Sequence, residues 1–305
     1  MAADDSMQME GILQHHTHAI IDWMHVVPDV WHEELQVHPL VPRYFRGTDD
    51  DIMPVLLTLD TLSEAHRKLL CANLEDAKDR PDRLMLACLL RAEPNVSHSS
   101  LAFHLTKMLM LDGQGRKGVD QLFRYYHIGM FLQMLRIFRP AQMRQFFGPV
   151  QAYAFQFQRE WVPFTPPEVT TDVVIPRYWF VNEAQEQKIA CVGLINKVLI
   201  RWKEKTGLRW ESVESFHAHA EKVEQILIFS VQRYQLRDFN DQLLFAEHSL
   251  LYGEHFHEHP KIQPLLQATQ EKGWGYAGDC ADITEDDWKA ISAFSAARQG
   301  LQTNG

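Results

Sequence analysis

The run Leu84-Met85-Leu86-Ala87-Cys88-Leu89-Leu90 is almost wholly apolar. A short, continuous apolar run is typical of a β-strand that is covered on both faces. It lies in the first half of the chain, where short apolar runs alternate with stretches of helical periodicity. That alternation predicts an α/β layer that includes the 84–90 strand.

Further strands are predicted on both sides of this run. They are 19–23, 53–59 with Pro54 near its start or edge, 119–128, and 150–157, in which Tyr153, Phe155 and Phe157 share one face. Together with 84–90 they predict a mixed sheet of about five strands. The fold class is therefore α+β or α/β for this lobe.

Helices are predicted between these strands from their capping signals. Thr61 to Glu64 has the pattern of a capping box, and Ser99 or Ser100 is placed to open a second helix. Helical pieces from about 129 to 147 should break at Pro140, because proline lacks the N–H that continues a helix. We also expect a short helix over 30–37.

The second half of the chain reads as helical and follows a proline-rich boundary. Four prolines between 163 and 176 predict a domain boundary. We therefore predict an α/β domain over 1–165, a linker rich in proline and aromatic residues over 166–181, and an all-helical lobe over 182–305. Thr284 and Asp287 predict the start of its last helix.

Composition excludes several classes of protein. The 305 residues carry 40 Asp and Glu against 30 Lys and Arg, a net charge of −10, which argues against binding to nucleic-acid phosphates. A hydrophobic fraction of 46% excludes disorder for most of the chain. The four cysteines lie far apart, as in a reducing compartment. Neither a signal peptide nor a membrane-spanning apolar stretch is recognisable, so a cytoplasmic location is predicted.

Catalytic and metal motifs are weak. The segment Glu254-His255-Phe256-His257-Glu258-His259 holds three imidazoles, but on a helix only His255 and His259 would share a face. The segments 15–18 and 217–219 also contain neighbouring histidines without zinc-site spacing. The glycine-containing turn 113–118 lacks the ending of a P-loop. We predict no metal, no cofactor and no enzymatic activity, with a metal-dependent hydrolase using His255–His259 as an alternative.

The tract Arg177-Tyr178-Trp179-Phe180-Val181 follows the proline-rich boundary. Three consecutive aromatic residues cannot all face one core. They are expected to pack the two domains together, or to place at least one ring on a surface that binds a partner, because aromatic residues dominate interface hot spots. Tyr178, Trp179 and Phe180 are therefore candidate partner-binding residues.

Ordered segments of the first half resemble a known family. They are His18-Ala19-Ile20-Ile21-Asp22, His104-Leu105-Thr106-Lys107-Met108-Leu109 with Asp112-Gly113, Leu122-Phe123-Arg124-Tyr125-Tyr126, Phe138-Arg139-Pro140-Ala141-Gln142, Phe146-Phe147-Gly148-Pro149-Val150 and Trp161. This pattern, over about 18–161, is similar to the type VI secretion effector-chaperone or adaptor family. The chain departs from it at Tyr126-His127-Ile128, where the family often has Tyr-Asp-Pro.

The resemblance implies a non-catalytic task. Members of that family hold a toxic effector in the cytoplasm and load it onto the VgrG spike protein. It implies a type VI effector, bound through its N-terminal region, and VgrG as partners. From charge and hydropathy we expect no nucleic acid and no membrane as partners. Arg124 is the residue carried over as a candidate for partner binding, or as a charge that orders its surroundings. An immunity protein that neutralises a toxin domain is the other alternative.

Overall fold

A computed structural model gives the structure of the chain. It describes residues 11–22, 37–42, 45, 53–79, 86–113, 121–158, 160–167 and 180–302. The chain divides into two compact units, Met1–Gln187 and Lys188–Gly305. The division falls inside a helix, whereas the sequence places its boundary in a linker over 166–181. The expected helix over 30–37 lies outside the described residues except for Val37.

The N-terminal unit combines strands with helices. Its strands are β1 (His18–Ile21), β2 (Val37–Pro39), β3 (Val55–Thr58), β4 (Leu86–Ala92), β5 (Met110–Gly113), β6 (Gln121–Leu122), β7 (Val150–Phe157), β8 (Glu160–Phe164) and β9 (Phe180–Val181). Its helices are α1 (Glu64–Asp79), α2 (His98–Met108), α3 (Ile128–Ile137) and α4 (Pro140–Phe147), and α5 (Glu183–Thr206) begins in it.

Six strands form one sheet in the order β2-β3-β1-β4-β7-β8. Each of these neighbouring pairs is antiparallel. A second, three-stranded sheet has the order β6-β5-β9, and its β5–β9 pair is parallel. The α+β class with a helical C-terminal lobe is thus confirmed. The larger sheet is antiparallel, rather than mixed, because the intervening helices do not make parallel crossovers between its neighbouring strands.

Helices cover both faces of the large sheet. On one face, Ile21, Leu57 and Leu89 pack in a buried cluster with Leu70 and Leu74 of α1. On the other face, the ring of Tyr153 stacks 4.4 Å from Phe131 of α3 and lies 5.7 Å from Phe147 of α4. The central strand β4 is therefore enclosed on both sides, which explains why its sequence is a continuous apolar run.

Local structure differs from the prediction at three places. α1 is capped by Ser63, whose Oγ accepts from His66 N at 3.2 Å, whereas the hydroxyl of Thr61 donates to Thr58 O. α2 is capped by Ser97, whose Oγ accepts from Ser100 N. The predicted strand 119–128 is wrong beyond β6: among its described residues, 123–127 form turns and α3 begins at Ile128. The aromatic side chains of this stretch pack in the core although their backbone forms a loop.

The described residues of the C-terminal unit, 188–302, form helices joined by loops and contain no strand. It contains most of α5, then α6 (Val213–Tyr234), α7 (Phe239–Tyr252), α8 (Gln263–Lys272), α9 (Tyr276–Asp279) and α10 (Glu285–Gln302), with 3₁₀ turns at Phe256–Glu258 and Cys280–Asp282. The capping signal for α10 is confirmed, since Thr284 Oγ1 accepts from Asp287 N and Asp287 Oδ2 accepts from Thr284 N, both at 3.3 Å. In the described part of the chain, no helix has the length and apolar character needed to span a membrane.

Candidate functional site

Two of the segments that carry the family resemblance meet at an ion pair in the N-terminal unit. Asp22 directly follows β1, and Arg124 lies in the turn after β6. Arg124 Nη2 donates to Asp22 Oδ2 at 3.1 Å across 102 residues of sequence. The Asp22 side chain is 5% exposed, while that of Arg124 is 37% exposed. The pair thus joins a buried carboxylate to a guanidinium that reaches the surface.

Tyr126 completes this cluster. Arg124 Nε donates to Tyr126 Oη at 3.0 Å, and the guanidinium carbon lies 5.5 Å from the centre of the same ring. Burial, together with the Asp22 carboxylate, raises the pKa of Tyr126. Burial opposes the charge on Arg124, but Tyr126 and Asp22 outweigh it and raise the Arg124 pKa. The cluster therefore holds a permanent cation beside a neutral phenol, an arrangement suited to ordering the 123–127 turn.

Two more resemblance segments meet at the end of α4. His104 Nε2–H donates to the carbonyl of Phe146 at 2.7 Å, and the His104 ring lies against Gly148. Tyr125 Oη donates to Leu105 O at 3.2 Å, and its ring lies edge-on to Phe146 at 4.9 Å. The segments beginning at His104, Leu122 and Phe146 are therefore in direct contact.

A pair of glutamines joins the Phe138-Arg139-Pro140-Ala141-Gln142 segment to the start of α5. Gln142 and Gln185 exchange two side-chain hydrogen bonds, of 3.0 and 2.8 Å. Gln185 Nε2 also donates to Ile137 O at 3.1 Å, at the end of α3. Asn182 caps α5 by accepting from Gln185 N at 2.9 Å. The first turn of α5 thus belongs to the N-terminal unit.

The predicted aromatic site can be located only in part. Tyr178 and Trp179 lie outside the described residues. Phe180 is in β9, where its backbone is paired with Asp112 of β5. Of the four candidate partner-binding residues, Arg124 is the one whose side-chain contacts are established.

The imidazoles of the 254–259 segment have separate partners. His255 Nδ1 bonds to Glu258 Oε1 at 3.0 Å, and His257 Nδ1 bonds to Tyr234 Oη at 2.7 Å. His259 Nδ1 accepts from Lys261 N, and its ring faces the edge of Phe294. Across the described residues, no group of three or more His, Cys, Asp or Glu side chains is placed to hold a metal ion.

A histidine group in the N-terminal unit was not predicted. The rings of His18 and His98 stack at 5.4 Å, and that of His38 lies edge-on to His98 at 5.7 Å. Thr17 and Thr58 hydroxyls bond to Nδ1 of His18 and His98, each at 2.8 Å. Burial, with the neighbouring His98, lowers the pKa of His18 to about 4. No spacing in the sequence predicts this group, because its three histidines come from β1, β2 and α2.

Comparison with known proteins adds no relative: no family model, no curated protein and no solved structure matches the chain.

Proposed function

We propose that this chain is an adaptor that binds a type VI secretion effector, through the effector's N-terminal region, and promotes its loading onto VgrG without catalysis. The proposal starts from the ordered sequence resemblance over about 18–161. It places the protein in the cytoplasm, where effectors are held before loading.

One observation carries the proposal furthest: the resemblance segments lie far apart in sequence, yet they are in contact in the fold. Asp22 binds Arg124, and His104 lies against Gly148. Contacts of this kind hold a compact domain together, and here they join the matched segments within one unit. These contacts support treating the matched segments as parts of one domain over about 18–161.

The alternative of a metal-dependent hydrolase has no such support. Such an enzyme would need several rings of the 254–259 segment directed at one ion, whereas His255 and His257 each bond to a different side chain. Metal analysis of the purified chain tests this alternative directly. Stoichiometric zinc, manganese or iron would count against a non-catalytic adaptor.

The adaptor proposal is tested by a pull-down of the tagged full chain from native lysate of toxin-expressing cells, with partners identified by mass spectrometry. We expect one large multidomain toxin, with or without VgrG. That toxin is then purified whole, without its N-terminal region, and as its C-terminal domain alone. Each form is mixed with the chain and analysed by size-exclusion chromatography.

The three forms separate the outcomes. Co-elution with the whole toxin and loss of co-elution without the N-terminal region would support an adaptor. Co-elution with the isolated C-terminal domain would support an immunity protein instead. If the purified toxin neither co-elutes with the chain nor gains solubility from it, the proposal fails.

A further inference from the structure

A groove of about 310 Å³ lies at the end of α5, within the C-terminal unit. α5 ends because Gly207, with φ +68°, donates its N–H to Lys203 O at 2.8 Å and turns the chain back. The turn brings Leu208 and Trp210 next to Ile200, and these three apolar side chains line the groove. We call it the α5 groove. Its volume is at the lower end of the range of ligand pockets, roughly 300–1,000 Å³.

The apolar lining is accessible from outside. Ile200 is 54% exposed, although α5 otherwise buries its long aliphatic residues at Val192, Ile195 and Leu199. A single exposed isoleucine is ordinary on a protein surface. Here it forms one wall of a concave site, where a partner's apolar side chain would remove it from water.

The basic residues near the end of α5 form two groups, one that binds a buried carboxylate and one that lines the groove. Arg201 Nε and Lys205 Nζ both bind Glu247 of α7, whose side chain is fully buried. Lys203 and Arg209 line the α5 groove instead. Among the described residues, neither of these two forms an ion pair with a carboxylate. Arg201 and Lys205 thus neutralise the buried Glu247 carboxylate, while Lys203 and Arg209 face the groove.

Lys203 is positioned by Trp210, which also lines the groove. Its Nζ lies 5.4 Å from the centre of the Trp210 ring, in a cation–π contact. Glu204 is the one carboxylate among the lining residues, against two cations. A chain with a net charge of −10 therefore presents a small, locally positive surface with an apolar floor.

We propose that the α5 groove binds an acidic segment of a partner protein, in which an apolar side chain is flanked by carboxylates. The apolar side chain would pack against Ile200, Leu208 and Trp210, and the carboxylates would pair with Lys203 and Arg209. The identity of the partner rests on the proposed function: it is the effector that the chain serves.

Charge reversal tests the groove against a matched control. The double variant Lys203→Glu/Arg209→Glu is compared with Lys272→Glu/Arg237→Glu, which changes net charge equally at exposed positions elsewhere in the same unit. Calorimetry with the purified effector should show binding weakened by about tenfold for the groove variant, since two exposed ion pairs are lost. The control should bind as the unmodified chain does. Ile200→Asp, at an exposed position, should also weaken binding.

Equal affinity of the groove variants and the unmodified chain would overturn the groove assignment while leaving the adaptor proposal standing. Equal weakening by the control would show a general charge effect and would also overturn it.

A second measurement needs no effector. The full chain, labelled with ¹⁵N, is titrated with the blocked peptides acetyl-Asp-Phe-Asp-amide, acetyl-Lys-Phe-Lys-amide and acetyl-Asp-Ala-Asp-amide. We expect the first peptide alone to shift the Trp210 indole N–H and Gly207 amide signals. Shifts with the basic peptide, or no shifts at these two residues, would contradict the proposed chemistry even if the chain binds an effector elsewhere.

Discussion

The imidazole of His104 occupies the space that a side chain at Gly148 would need. A Cβ built on Gly148 would lie 2.4 Å from His104 Cε1, and the backbone there has φ +51°. His104 cannot simply move away, because its Nε2–H donates to Phe146 O. The glycine of the Phe-Phe-Gly-Pro segment is therefore required by both its backbone conformation and its neighbour.

Gly148→Ala should destabilise the chain by about 1–3 kcal/mol, from backbone strain and displacement of His104. The measurement is the free energy of unfolding in a denaturant titration. Gly193→Ala is the control: Gly193 is exposed on α5, and its added Cβ would have no atom within 4 Å apart from its chain neighbours and the backbone of its own helix. That change should leave stability equal or raise it by up to about 1 kcal/mol. Similar effects of the two substitutions would contradict the close packing at Gly148.

The pair Asp22–Arg124 should be coupled in stability. Arg124→Gln removes the cation from a carboxylate that is 5% exposed, so we expect a loss of about 1–3 kcal/mol. Asp22→Asn/Arg124→Gln should lose less than the sum of the two single variants, because the uncompensated buried charge is then absent. Strict additivity in this double-mutant cycle would show that the two side chains do not interact energetically.

Stability should fall as the pH is lowered from 7 to 4. Burial and the neighbouring His98 ring lower the pKa of His18 to about 4, although Asp60 acts in the opposite direction. Because this folded-state pKa is below the unfolded value of about 6.5, the unfolded state binds the proton more readily. The contribution of His18 to the free energy of unfolding is therefore complete above pH 6.5, and about 2 kcal/mol of it is lost by pH 5.

The His18 contribution is measured by comparing unfolding at several pH values for the unmodified chain and His18→Gln. The variant should show a shallower loss of stability between pH 6.5 and 4. His15→Gln, at an exposed histidine three residues away, is the control and should follow the unmodified chain. Parallel pH profiles for all three proteins would exclude a special role for His18.

The two buried cysteines should be unreactive in the folded chain. Burial raises the pKa of the Cys88 thiol to about 12 and that of Cys280 to about 12, and the thiolate is the reactive form. Iodoacetamide at pH 8 should therefore modify Cys71, which is half-buried, before Cys88 in the same unit. Mass spectrometry of the digested protein measures each site, and in guanidinium chloride all four thiols should react. Early modification of Cys88 would contradict its burial.

Several local features could be predicted because their causes lie within a few residues. Pro140 separates α3 from α4, and Thr284 with Asp287 opens α10, since a missing N–H and a capping box act over one helical turn. The same reasoning misplaced the start of α1, because Thr61 and Ser63 carry equivalent hydroxyls. Only the path of the chain decides that Ser63 caps the helix and that Thr61 donates to Thr58.

The predicted strand over 119–128 shows a different limit. Phe123, Tyr125 and Tyr126 are buried aromatic residues, a pattern typical of strands. Here, however, they belong to a turn. Within it, the Tyr125 hydroxyl donates to Leu105 O and the Tyr126 hydroxyl accepts a hydrogen bond from Arg124. Burial alone therefore does not distinguish a strand from a loop that fills a core.

Hydrophobic pattern and capping chemistry were enough for the α+β class, the helical second half and most of the helices, because those signals act over one or a few turns. The order β2-β3-β1-β4-β7-β8, the contact of Asp22 with Arg124, the histidine group at His18 and the α5 groove depended on the tertiary structure. The sheet order and the first two contacts join segments far apart in the chain, where no spacing rule applies. The groove is local, but its cations face outward only because packing assigns Arg201 and Lys205 to the buried Glu247.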